Sequence, residues 1–189
     1  MATVTTQPMT AEEFALLDLD VPVELVRGEV VEMPRPKTIH GLVCNNVGFI
    51  LTTWVRQHGN PGFVVADAGI IVERDPDTVR GPDVYYVSRE RAELAGGLEG
   101  FLKLGPELTV EVKSPSETWK DLQAKIHEYF SAGVQEIWVL EPEERLVLVY
   151  RMDERPRTLR PNELLTSSLL AGFEVTVSEF FRDVPVESA

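Results

Sequence analysis

The sequence predicts an α/β protein in which helices flank a central mixed β-sheet. Three observations carry that prediction. Short runs of β-branched and aromatic residues recur along the chain, each bounded by Gly or Pro. Two longer segments, 39–58 and 117–132, repeat apolar residues at helical spacing. Between residues 108 and 140 a strand, a helix and a second strand follow one another, the pattern of a crossover connection.

Each element has a local cause. Thr10-Ala11-Glu12-Glu13 has the spacing of a capping box and predicts a short helix running to Leu17. VELVRGEVVEM, Val23 to Met33, predicts two short strands joined at Arg27-Gly28. Val43, Val47, Ile50, Leu51, Trp54 and Val55 predict a helix from about Ile39 to His58, with Gly59 as its stop. FVVADAGIIVE, Phe63 to Glu73, predicts a strand kinked at Gly69. Pro76, Gly81 and Pro82 mark a loop, from which Asp83 to Val87 emerges as a strand.

GGLEGFLKLGPE predicts a second loop holding at most a helical turn. Leu108 to Lys113 is the next strand, broken by Pro115. A helix then starts at Ser116 or Glu117 and ends near Ala132, stopped by Gly133. Glu136 to Leu140 and Arg145 to Met152 predict two further strands. GFEVTVSEFF predicts a weaker strand and a short helix. With no repeat, low-complexity block or dividing linker, residues 1–189 are expected to form a single domain.

Composition narrows the function. The chain has 189 residues, 43% hydrophobic and 26% charged, which suits a soluble globular protein. Its one cysteine, Cys44, allows no internal disulfide. No apolar run approaches the roughly 20 residues of a membrane span, and the N-terminus lacks the marks of a signal peptide, so a cytoplasmic location is expected. The net charge of -13 excludes a nonspecific nucleic-acid coat, which rests on neutralising phosphates. A local cationic site remains compatible with it. Of five lysines, three (Lys113, Lys120 and Lys125) fall within residues 108–130.

That same stretch, LTVEVKSPSETWKDLQAKIHEYF, sets Glu111 and Lys113 into an otherwise apolar strand. Ionised side chains are seldom fully buried unless paired or bound to a metal. In a strand, positions i and i+2 share a face, which sets Glu111 and Lys113 on one side and Val110 and Val112 on the other. On the following helix Asp121, Lys125 and Tyr129 share a face beside the stripe of Leu122, Ile126 and Phe130. If the strand opened by Asp83 lies beside 108–113, a second carboxylate arrives next to Glu111. Two crowded carboxylates resist ionisation unless a cation compensates. Mg²⁺ is the usual choice for oxygen ligands, and a bound metal acidifies water and polarises phosphoryl oxygens. Acid, acid and lysine are thus the parts needed for metal-assisted phosphodiester hydrolysis.

These residues are recognisable. Pro82-Asp83 followed by Glu111-Val112-Lys113 resembles the PD-(D/E)XK nuclease superfamily. More narrowly, the chain resembles the Uma-type family of restriction-endonuclease-like proteins over most of its length. The likeness comprises T-x-E-E-F, VELVRGEVVEMPRP, His40 opening a long helix, GPDVYYV, LTVEVKSPS, and D-x-x-x-K-x-x-x-Y-x-x-x-G ending in EIWVLEP. The family's usual Asp-Pro is Glu141-Pro142 here. The resemblance implies a restriction-endonuclease-like core, often homodimeric, acting on DNA with Mg²⁺ or Mn²⁺ and no small organic cofactor. It implies Asp83 and Glu111 as metal ligands, Glu24 as a further carboxylate near the metal, and Lys113 as the catalytic lysine. His40 and Lys125 line the site. The family varies at the Lys113 position, so Lys125 could carry part of its work.

Plainer readings compete. Glu111 and Lys113 suit a partly exposed ion pair on an edge strand. Asp83 suits a turn, Glu24 a strand face turned to water, His40 a helix cap, and Asp121 with Lys125 a solvated helix face. The rival function is a noncatalytic homodimeric module that retains the nuclease fold. Hydrolysis of small phosphate esters is a third. Other motifs fail: His127-Glu128 lacks the second histidine of a zinc-protease helix, with Ser131 in its place, and no phosphate-binding glycine loop is present.

Overall fold

The computed structural model describes residues 7–185. Helix α1 (Ala11–Phe14) is opened by the expected capping box: the Thr10 side chain accepts from the Glu13 N–H, and the Glu13 carboxylate accepts from the Thr10 N–H. It is one turn long and does not reach Leu17 as an α-helix. Strands β1 (Val23–Val26) and β2 (Glu29–Glu32) form the expected hairpin about Arg27-Gly28. Helix α2 (Thr38–Gln57) buries Val43, Val47, Leu51, Trp54 and Val55, the predicted stripe.

The run from 63 to 73 is two strands rather than one kinked strand. β3 (Gly62–Ala66) and β4 (Ile70–Glu73) belong to different sheets. The turn around Gly69 passes against the Phe101 ring, which a Cβ there would meet at 2.4 Å. β5 (Thr78–Arg80) was expected as loop, and three residues between Pro and Gly carry too little pattern to reveal it. β6 (Val84–Ser88) follows, and then α3 (Arg89–Leu94), a helix that the sequence reading missed. Ser88 caps it, accepting from the Arg91 N–H.

β7 (Leu108–Val112), α4 (Trp119–Ser131) and β8 (Glu136–Glu141) make the predicted crossover, with Thr118 rather than Ser116 as the cap of α4. β9 (Leu146–Arg151) returns antiparallel, followed by the short strands β10 (Arg157–Leu159), β11 (Leu164–Thr166) and β12 (Glu174–Thr176) and a 3₁₀ turn, Val177–Phe181.

The central sheet has the order β10-β9-β8-β7-β6-β3. Only β7 and β8 run parallel; every other adjacent pair in it is antiparallel. The mixed sheet flanked by helices is therefore borne out. α2 and the C-terminal 3₁₀ turn cover one face over Val84, Tyr86, Val110 and Trp138. α3 and α4 cover the other over Tyr85, Val87, Ile137 and Val139. A four-stranded sheet, β2-β1-β5-β4, stands beside it with its own small core of Phe14, Leu25, Ile71 and Val79. No helix among the described residues is long and apolar enough to cross a membrane.

Candidate functional site

The site forms where β6 and β7 meet the start of α2 and the middle of α4. Gly81-Pro82 delivers Asp83 to the head of β6. The Val84–Val110 pairing, extended by one residue, sets Asp83 across the ladder from Glu111. The strands are adjacent, as the sequence reading required. Asp83 Oδ2 accepts from the Val112 N–H at 2.6 Å, and Oδ1 lies 3.3 Å from Nε2 of His40 in the first turn of α2. Burial works against a charged His40, but the Asp83 carboxylate outweighs it and holds the imidazole above its ordinary pKa, with Glu111 adding. On the next turn, Cys44 Sγ sits 3.4 Å from His40 Nδ1. Burial pushes that thiol up, and Asp83 pushes it further.

Glu111 faces α4, not solvent, and is 3% exposed. Alternation along β7 sends Leu108, Val110 and Val112 into the core under α2, so Thr109 and Glu111 enter the α4 side. Tyr129 donates its hydroxyl to Glu111 Oε1 at 2.5 Å, and Lys125 Nζ lies 3.6 Å from Oε2. Lys125 also pairs with Glu117 at 3.0 Å. Burial pushes the Glu111 carboxyl up to about 8; Lys125 opposes that and Asp83 reinforces it. Burial likewise works against a charged Lys125, but Glu111, Glu24 and Glu117 together hold it charged well above the usual range. Tyr129, desolvated and beside a carboxylate, is raised far above its ordinary value.

Glu24 is buried rather than turned to water. Its carboxylate takes Arg80 Nη1 at 2.7 Å and the Gly81 N–H at 3.2 Å. The same guanidinium grips Glu128 of α4 through Nε at 2.6 Å and Nη2 at 3.0 Å. Arg80 thus ties the small sheet to α4. Lys113, just past the end of β7, pairs with Glu141 at 3.5 Å and lies over the Trp119 ring, 5.5 Å from its centroid. The plainer reading, an ion pair of Lys113 with Glu111, gives way to Lys125 as the lysine beside Glu111.

Two groupings therefore form: His40 with Asp83, and Lys125 with Glu111. The expected set of three ligands, Asp83, Glu111 and Glu24, differs from the set that converges most tightly. Among the described residues, the one trio of candidate donors within 4.8 Å of one another is His40, Cys44 and Asp83. Glu111 and Glu24 are drawn elsewhere by Lys125 and Arg80. The plainer reading of Lys125 as part of a solvated helix face is overturned by its burial, and Asp121 bonds to the cap residue Thr118 instead. Sequence reasoning missed Cys44, which only its spacing of four from His40 could have revealed. It also missed Arg80, Glu117 and Glu128, whose convergence depends on tertiary packing.

The fold and the sequence both have relatives. The crystal structure of a protein described as "a putative nuclease belonging to DUF820" from Anabaena variabilis superposes with a TM-score of 0.79 at 20% sequence identity, covering 92% of this chain and 98% of that one. No curated protein matches the chain. A family model described as "Uma2: Putative restriction endonuclease" matches residues 11–178.

Proposed function

The chain belongs to the Uma2 family, and from that premise we propose that it is a divalent-metal-dependent endonuclease that hydrolyses DNA phosphodiester bonds as a single restriction-endonuclease-like domain. The observation that carries the reading is the adjacency of Asp83 and Glu111 across the β6–β7 ladder, with Lys125 Nζ 3.6 Å from Glu111.

The donor chemistry fits Mg²⁺ or Mn²⁺. Glu111 is a desolvated carboxylate in the field of a second one, Asp83, an arrangement that a cation relieves. When bound, the ion supplies an acidified water and a counter-charge for phosphoryl oxygens. Asp83 and Glu111 would hold it, and Glu24 would join them on release from Arg80. His40 fixes the orientation of Asp83 through their contact at 3.3 Å. Lys125 positions the attacking water or steadies charge developing on phosphorus. Lys113, just past the end of the strand, would exchange Glu141 for a substrate phosphate. DNA is the substrate in this reading, and a homodimer the working assembly.

Purified protein is expected to nick or cut plasmid DNA with Mg²⁺ or Mn²⁺ and to stop on chelation. Asp83→Ala and Glu111→Ala should each abolish cutting. Cutting that survives in both variants defeats the proposal. A second reading, the noncatalytic homodimeric module, is favoured by one observation: Glu24, Glu111 and Lys113 each already have an internal counter-charge. Calorimetry with Mg²⁺ and Mn²⁺ separates the two, since the module would give no binding heat.

A further inference from the structure

We propose that His40, Cys44 and Asp83 form a second, thiolate-containing cation site beside the carboxylate pair, suited to a borderline cation such as Zn²⁺ and poorly suited to Mg²⁺. His40 and Cys44 stand four residues apart and so share one face of α2, a rigid helix of 20 residues. Asp83 comes to that face from the head of β6. The three donors lie within 4.8 Å of one another, with His40 Nε2 3.3 Å from Asp83 Oδ1 and Cys44 Sγ 3.4 Å from His40 Nδ1.

One atom of each residue, a single imidazole nitrogen included, lies within 4.8 Å of the other two, near the spread that a tetrahedral ion gathers on binding. Zinc–ligand bonds of about 2.0–2.3 Å at tetrahedral angles set neighbouring donors roughly 3.3–3.7 Å apart. Three protein donors leave a fourth position open, as in zinc sites that take water or substrate. Sulfur and imidazole select for Zn²⁺ and its neighbours, whereas Mg²⁺ asks for six oxygens in an octahedron. Binding exchanges the Cys44 S–H bond for a sulfur–metal bond and strips the proton from the ligating nitrogen of His40, and both protons leave to solvent. The trio is partly accessible rather than sealed, so an ion has a route in.

Asp83 belongs to both sites. An ion held by Cys44 and His40 takes a carboxylate that the Mg²⁺ or Mn²⁺ site needs, so Zn²⁺ acts as an antagonist of cutting. Occupancy stands on the side-chain geometry alone; the antagonism rests on the metal-dependent reading above.

The test is a Co²⁺ titration of the purified full chain, followed by absorbance. Cys44 is the sole cysteine, so a sulfur-to-cobalt charge-transfer band has one assignable source. Expected is a band that saturates at one Co²⁺ per chain and is displaced by Zn²⁺ but not by excess Mg²⁺. It should be absent in Cys44→Ser and Cys44→Ala and retained in Glu111→Gln. A wild-type protein that binds Co²⁺ without the band, or that loses it to Mg²⁺ or in Glu111→Gln, overturns the proposal whatever the fate of the cysteine variants. Metal-dependent plasmid cutting without the band defeats this site and spares the nuclease reading. The band without cutting does the reverse.

Discussion

At the scale of single residues, Glu111 concentrates the cost of the site. Its carboxyl is raised from an ordinary 4.5 to about 8, chiefly by burial. An acid raised by folding holds its proton more tightly in the native state than in the unfolded chain. The stability it contributes is complete below about 4.5 and is lost as pH climbs through about 8. Thermal melts of metal-free protein should therefore show Glu111→Gln gaining on wild type across that window. Parallel melting curves for the two proteins would show that the carboxyl is not so perturbed. Glu111 and Lys125 were legible in the sequence because strand and helix periods dictate faces, whereas His40 entered only through the family resemblance, and Asp83's neighbour depended on which strands pair. The partner of Lys113 was not legible. Choosing Glu141 over Glu111 depends on where β8 ends, which strand alternation does not reveal.

At the scale of elements, α4 carries Lys125 and Tyr129 into the site, and its first turn is secured by Thr118, whose hydroxyl accepts from the Asp121 N–H at 3.2 Å. Thr118→Ala should cost about 1 kcal/mol, measured by urea unfolding, through loss of that cap. Long periodic elements were read correctly: α2, α4 and the β7–β8 crossover all stand within a few residues of expectation. Those missed were short. β5, β10 and β11 have three residues each, below the length at which alternation can be told from chance, and tertiary pairing alone creates them. Helix α3 was hidden differently, since RERAEL buries only Ala92 and so shows no apolar stripe. The split of 62–73 between two sheets is likewise a tertiary outcome. Both halves are good strands, and what separates them is where β5 and β6 offer an edge.

At the scale of the whole molecule, the two faces of the central sheet are roofed by parts of the chain remote in sequence. The α2 side is completed only by the C-terminal 3₁₀ turn, where Phe180 and Phe181 are buried and the Phe180 ring lies 6.1 Å from that of Trp138. Phe180→Ala should destabilise the fold by about 3–5 kcal/mol, seen as a lower denaturation midpoint with an unchanged slope. A loss well under that range would mean the C-terminal turn is only loosely seated. The outer strand of the small sheet has a different consequence. Among the described residues β2 is an unpaired edge whose four residues, EVVE, are all exposed. Bare backbone donors and acceptors beside Val30 and Val31 would recruit a sister chain as another strand. A twofold-related antiparallel partner, however, would set Glu29 against Glu32 at both ends of the ladder, like charges directly opposed. The two glutamates thus act as gatekeepers on that edge, disfavouring pairing through it.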